Sequence, residues 1–370
     1  MRTPYFRIEE KKLRENLEIL QDVEARSGAK ILLAQKAYSV YQTYPLLSSF
    51  LSGSTASGLY ECRLAREEFP GEVHVFSPAY REDEFDEILS YADHIVFNSC
   101  AQVKKFAGKT RAAGKSAGLR LNPECSTQEG HAIYDPCAPG SRLGVTADAL
   151  DPSVLPYLDG VHMHTLCEQN ADALEVTAAA LEKKFGAYLS GLQWINLGGG
   201  HHITRPDYDR ELLVRIVRHF AEKYSVQVYL EPGEAVALNA GTLETSVLDI
   251  VKNGDTRIAI LDASAACHMP DVLEMPYRPP LKNAGKPGER KYTYRLAGPT
   301  CLAGDVIGDY SFDAPLSTGT RLSFGDMAIY TMVKTNTFNG MALPAIVYER
   351  ENGETERIRE FSYADFKSRL

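Results

Sequence analysis

The chain has 370 residues, 44% of them hydrophobic, and a formal net charge of −9. That length allows one large barrel with an addition, or two domains; the acidic balance, with Lys and Arg scattered, disfavours nucleic acid and suits a small cationic molecule. No apolar run approaches the ~20 residues that span a bilayer, and the start Met1-Arg2-Thr3-Pro4-Tyr5 lacks a signal-peptide pattern, so a cytoplasmic protein with no membrane partner is expected. Seven cysteines without a CxxC pair read as reduced thiols rather than a disulfide framework or zinc site.

In chain order, an amphipathic helix is predicted from about Glu10 to Ala25. Short apolar runs follow, each trailed by a polar or helix-like stretch: Ile31 to Gln35, a weak run at Gly53 to Ser57, Val73 to Phe76, His94 to Phe97, Gly118 to Leu121, Gly160 to His164, Gln193 to Leu197 and Val226 to Leu230. Eight such units predict an α/β fold, a (β/α)8 TIM barrel over residues 10–240, with functional residues at the C-terminal strand ends. Lys36, Ser54, Asn98, Asn122, His164, Gly198 and Glu231 fall there. Beyond Ala240 the pattern turns β-rich, with Thr256 to Leu261, Tyr292 to Leu296, Arg321 to Phe324 and Ile346 to Glu349, and a hairpin signal at Asn352-Gly353. Residues 241–370, with residues 1–9, form a second, β-barrel-like domain in this reading. The Pro-, Lys- and Gly-rich stretch Met275 to Arg290 is expected to be a mobile surface loop.

Three features in order suggest one cofactor. Lys36 closes an apolar run that can bury its stem, and desolvation favours the neutral, nucleophilic amine. Gly198-Gly199-Gly200 can bring backbone N–H groups to a phosphate. Glu231 can hold a pyridine nitrogen protonated, so that the ring accepts an electron pair. Each has a plain alternative: a surface lysine, a tight turn, an exposed acid. The ordered set points to pyridoxal 5'-phosphate. A rival is His162-Met163-His164, a His-x-His pair on one strand face that binds metal in barrel hydrolases, with His201 and His202 as further ligands. It leaves Lys36 and Glu231 without a role and lacks a bridging acid, so no metal is expected.

The lysine after the first barrel strand, the histidine at 164, the glycine loop, Leu230-Glu231-Pro232-Gly233-Glu234 and Gly298-Pro299-Thr300-Cys301 together resemble the alanine-racemase-like, fold-type III pyridoxal phosphate decarboxylases. The strings from Val161 to Glu168, Ala266 to Asp271, Cys301 to Asp305 and Asp326 to Thr335 are similar to the carboxynorspermidine/carboxyspermidine decarboxylase family. The resemblance spans nearly the whole chain. It implies decarboxylation of carboxynorspermidine or carboxyspermidine in polyamine biosynthesis, by a homodimer with shared active sites.

Residue by residue, the resemblance implies that Lys36 carries the cofactor, His164 stacks on its ring, and Tyr330 joins the glycines at the phosphate. Cys301 enters the partner subunit's site as the acid that reprotonates Cα. Glu231 stands where racemases of the superfamily carry arginine. Glu234 departs from the Glu-Pro-Gly-Arg of ornithine-type relatives, which frees it for a substrate amine. Asp271 first, then Glu274 and Asp305, are candidate partners for the polyamine tail; Arg142 could contact the cofactor, a carboxylate or a structural partner. Another basic amino-acid decarboxylase of this fold, for ornithine, arginine or diaminopimelate, is the nearest alternative, although no basic pair suits a distal diaminopimelate carboxylate. A catalytically silent carrier of the cofactor and a metal hydrolase are the alternatives from other classes.

Overall fold

A computed structural model describes residues 1–129 and 132–370. It divides into two compact units, residues 1–15 with 237–370 and residues 16–236. Residues 10–15, which the sequence reading gives to the barrel, therefore cluster with the sheet unit. Strand β1 (Tyr5–Glu9) belongs to that unit, and the eight runs read from the sequence form the next eight strands: β2 (Lys30–Ala34), β3 (Gly53–Ala56), β4 (Glu72–Phe76), β5 (His94–Phe97), β6 (Ser116–Arg120), β7 (Gly160–His162), β8 (Trp194–Asn196) and β9 (Gln227–Leu230). These are parallel, and β2 pairs with β9 to close the barrel. Their buried faces on both sides explain the continuous apolar runs.

The outer helices follow the 3.6-residue period. In Arg210–Tyr224 the buried residues are Leu213, Val214, Ile216, Val217, Phe220 and Tyr224; the Asp209 side chain caps the start by accepting from Leu212 N, and Ser225 ends it in the left-handed region. The connection from β6 to β7 departs from the expected alternation. It carries short 3-10 turns at Ala147–Ala149 and Pro152–Tyr157, where prolines at 152 and 156 remove backbone donors. Inside the barrel, Trp194 packs with Leu32, Val96 and Tyr229. Gly160 makes room for it, since a Cβ there would lie 2.0 Å from the indole.

The N-terminal strand ends enclose a polar group. Glu72 accepts from Lys30 Nζ, from Tyr229 OH at 2.9 Å and from His74 Nε2 at 3.3 Å, while the His74 and His94 rings stack with centroids 4.0 Å apart. Burial holds His94 down to about 3, His201 and His268 to about 4, and also lowers His162 and His164, all from 6.5. Each stays neutral when folded but takes a proton when unfolded, so stability is full above pH 6.5 and falls as pH drops below it. Each histidine contributes at most ~1.4 kcal/mol per pH unit. Urea midpoints are therefore expected to fall steadily from pH 7 to pH 5, before ordinary carboxylates titrate. A flat profile over that range would contradict the buried, neutral assignment.

In the other unit, β10 (Gly241–Asn253), β11 (Thr256–Leu261), β12 (Tyr292–Ala297), β13 (Val306–Phe312), β14 (Arg321–Gly325), β15 (Ala345–Glu349) and β16 (Thr355–Arg359) join β1. Their order is β13-β12-β11-β10-β1-β15-β16, with β14 on β10. β1 runs antiparallel to β10 and parallel to β15. The turn at Asn352-Gly353 links β15 to its antiparallel partner β16. The stretch 275–290, expected to be a mobile loop, is tied to the sheet: Gly325 N and Tyr310 OH donate to Pro280 O and Pro279 O at 2.8 and 2.7 Å, and Gly285 and Ser311 exchange backbone bonds. Proline interrupts a regular ladder without preventing single bridges. All seven cysteines are free thiols. Among the described residues, no helix is long and apolar enough to cross a membrane.

Candidate active site

At the C-terminal ends of the barrel strands, Lys36, Thr55, Phe76, Arg120, His162, His164 and Glu231 line one cavity. Lys36 stands in a turn just past β2, where Ala37 N donates to Ala34 O at 3.0 Å. The Glu-Pro-Gly loop after β9 packs on that turn; a Cβ at Gly233 would sit 2.6 Å from Ala37 Cβ, so the motif's glycine is a packing requirement. Lys36 is accessible because it projects into the cavity. Protein surrounds it nonetheless, and this loss of solvation lowers its amine from the ordinary 10.5; Glu231 opposes the shift and the Arg120 charge adds to it.

Glu231 is buried and held at both oxygens. Asn196 Nδ2 donates to Oε1 at 2.8 Å, and His162 Nε2 lies 3.1 Å from Oε2. Burial alone would raise this carboxyl, but His162 and Asn196 outweigh it and bring it from 4.5 down to about 2. Glu231 is thus ionised, with His162 Nε2 as donor. His164 accepts from Gly199 N through Nδ1 at 2.9 Å; burial keeps it neutral, leaving Nε2 the protonated nitrogen. His162 therefore faces Glu231 and His164 faces the glycine loop.

The glycine loop fits so closely that side chains are excluded. A Cβ would lie 2.3 Å from Met163 O at Gly198, 2.3 Å from Glu231 O at Gly199 and 2.1 Å from Leu166 O at Gly200; Gly198 and Gly200 also have positive φ. The expectation that all three amides face a phosphate needs correction. Gly198 N donates to Asn196 Oδ1 at 2.8 Å and Gly199 N to His164, so these two glycines act by close approach.

Arg120 was missed in the sequence. It ends β6, is 5% exposed, places its guanidinium 4.6 Å from the Phe76 ring centre and donates to His164 O at 3.1 Å. A lone charge within the apolar run Gly118 to Leu121 was the available signal. Arg142 instead is exposed, and its carbonyl accepts from Asn98 Nδ2 at 2.8 Å. Glu234 Oε2 lies 3.1 Å from His202 Nε2, without a hydrogen bond between them.

The remaining candidates lie in the sheet unit. Asp271 and Glu274 both pair with Lys334 Nζ, at 2.5 and 2.8 Å. Cys301 is exposed, with its backbone N donating to Asn339 Oδ1 at 2.8 Å. Tyr330 is half-buried with φ of 39°, strained for a non-glycine residue.

Asp305 is corrected from substrate partner to structural carboxylate. It is 3% exposed and accepts from Ser264 Oγ, Ala266 N, Thr300 N and Thr300 Oγ1 at 2.7–3.3 Å, so protein donors already hold both of its oxygens. Asp305→Ala strands these donors, and unsatisfied buried groups cost about 1–3 kcal/mol each. A lowered urea midpoint with KM unchanged in the folded fraction is expected; a raised KM at unchanged stability would restore the substrate role.

An amine, an ionised carboxylate, a neutral flat imidazole and a loop that admits no side chain suit pyridoxal phosphate; the first three meet in one cavity, and the loop packs against Glu231 and His164. Comparison with known proteins agrees. Residues 37–328 match the family model described as pyridoxal-dependent decarboxylase, C-terminal sheet domain. The chain is 44% identical to a carboxynorspermidine/carboxyspermidine decarboxylase of Campylobacter jejuni, covering 100% of this chain and 98% of that one. It is 43% identical to a carboxyaminopropylagmatine decarboxylase of Synechocystis, covering 100% and 95%. A crystal structure of carboxynorspermidine decarboxylase from Campylobacter jejuni, complexed with norspermidine, superposes with a TM-score of 0.93 at 44% identity over 100% of both chains. The chain belongs to the pyridoxal-dependent decarboxylase family, and its cofactor is pyridoxal phosphate.

Proposed function

We propose that the chain decarboxylates carboxynorspermidine or carboxyspermidine to norspermidine or spermidine. The observation that carries this reading is one cavity holding Lys36, His164 and a doubly anchored Glu231, in a chain similar end to end to an enzyme of that name. Bound pyridoxal phosphate supplies an aldehyde for the substrate amine and a ring that takes up the electron pair left as carbon dioxide departs. Lys36 Nζ is the amine that would hold the aldehyde. Glu231 would hold a proton at the ring nitrogen, and His164 would offer the ring a neutral face. Gly200 would serve the phosphate.

Cys301 Sγ returns a proton to the substrate carbon. In this reading it serves the neighbouring copy of a homodimer, as its exposure allows. Asp271 and Glu274 already hold one ammonium, that of Lys334, and a polyamine's terminal ammonium replaces it like for like.

The Synechocystis relative favours a second reading, in which the tail is the guanidinium of carboxyaminopropylagmatine. A panel of carboxynorspermidine, carboxyspermidine, carboxyaminopropylagmatine, ornithine, arginine and diaminopimelate decides between them. The first two are expected to lead in kcat/KM by about tenfold or more; they differ by one methylene, worth ~1–3 kcal/mol between them. A lead for the guanidinium compound would transfer the assignment, and a lead for an amino acid would reject a polyamine substrate.

A further inference from the structure

Glu168, His202 and Glu234 converge beside the glycine loop, with one potential ligand atom from each within 4.8 Å of the others. His202 is 6% exposed, and neither ring nitrogen makes a hydrogen bond. Its Nε2 nevertheless lies 3.1 Å from Glu234 Oε2, a close approach without hydrogen-bond geometry. Backbone ties fix the three segments: Gln169 N donates to Gly200 O at 3.0 Å, His202 N to Gln169 O at 3.2 Å, and Thr204 Oγ1 to Ala235 O at 2.7 Å.

The separation discriminates between occupants. Ligands ~2.1 Å from a metal ion and 3.1 Å apart subtend an angle of about 95°, within the range of ordinary coordination. An ammonium hydrogen-bonding both atoms at ~2.8 Å would need its N–H bonds only about 67° apart, against about 109° for tetrahedral nitrogen. We propose that Glu168, His202 and Glu234 form a binding site for a divalent ion of the zinc or manganese class. Two carboxylates and one imidazole are a ligand set for such ions. The site is separate from the His162 and His164 pair. Glu72, His74 and His94 also converge, but there Lys30 and Tyr229 already occupy the carboxylate.

The test is calorimetric titration of chelator-stripped, cofactor-loaded enzyme with zinc chloride, with metal per chain counted by mass spectrometry. One tightly held zinc per chain is expected, with affinity falling at least about 100-fold in His202→Ala and in Glu168→Gln. Glu168 is exposed, so Glu168→Gln keeps the fold if His202→Ala does not. The cofactor's absorbance is read in every sample, so metal loss and cofactor loss are separated. No zinc binding by the wild type, or equal binding in both folded variants, would overturn the site.

Discussion

Lys36→Ala is expected to lower turnover by about 10³-fold or more, within the range that positioned proton-transfer groups contribute, while leaving the urea midpoint nearly unchanged. The two readouts separate chemistry from folding. Lys36 projects into a cavity rather than filling a packing position, so its removal creates no void in the core. Burial lowers its amine, with Glu231 opposing and Arg120 assisting, so the neutral nucleophile is available at a lower pH than for a solvated lysine. Lys36→Arg keeps a cation but cannot lose its proton and is expected to be equally inactive. A small added amine should restore part of the alanine variant's activity. An alanine variant active without such rescue would refute the assignment.

Glu231→Gln is expected to reduce kcat about 10²–10³-fold, the loss typical of removing one preorganised electrostatic partner, with cofactor still bound. The wild-type carboxylate accepts from Asn196 on one oxygen and His162 on the other. An amide can accept from only one of them; its NH2 then meets a second donor unless His162 changes tautomer. That conflict costs about 1–3 kcal/mol. The pH dependence has a definite sign. Glu231 is held at about 2 against an ordinary 4.5, so its stabilising contribution is full above pH 4.5 and is lost as pH falls toward 2. The stability gap between wild type and Glu231→Gln should narrow over that interval. An unchanged kcat would remove Glu231 from the electronic role.

The barrel strands were legible because each is a short apolar run buried on both faces, and the residues just past their ends followed from the parallel topology. Long β10 is not legible as one strand in the sequence. Its buried positions Gly241, Leu243, Thr245 and Val247 alternate with Thr, Glu and Ser, and only two of those four are large and apolar. β13 was hidden similarly by Gly308 and Asp309 in its middle.

At the site, Lys36, His164, Glu231 and the glycines were readable because their residue types are tied to the chemistry. Arg120, Asn196 and the donor role of His162 were not, since each acts through a partner on another strand that only the closed barrel brings near. Asp305 misled for the converse reason. An acid beside a reactive-cysteine motif looks like a ligand group, yet a Cβ at Gly298 would lie 2.2 Å from its carboxylate, which marks it as the packed centre of that loop.

The most direct test of the central claim is borohydride reduction of the cofactor-loaded enzyme, followed by proteolysis and peptide mass spectrometry. One pyridoxyl label is expected, on the peptide containing Lys36, and none in Lys36→Ala. A label on another lysine, or a reduced wild-type enzyme without any label, would contradict it.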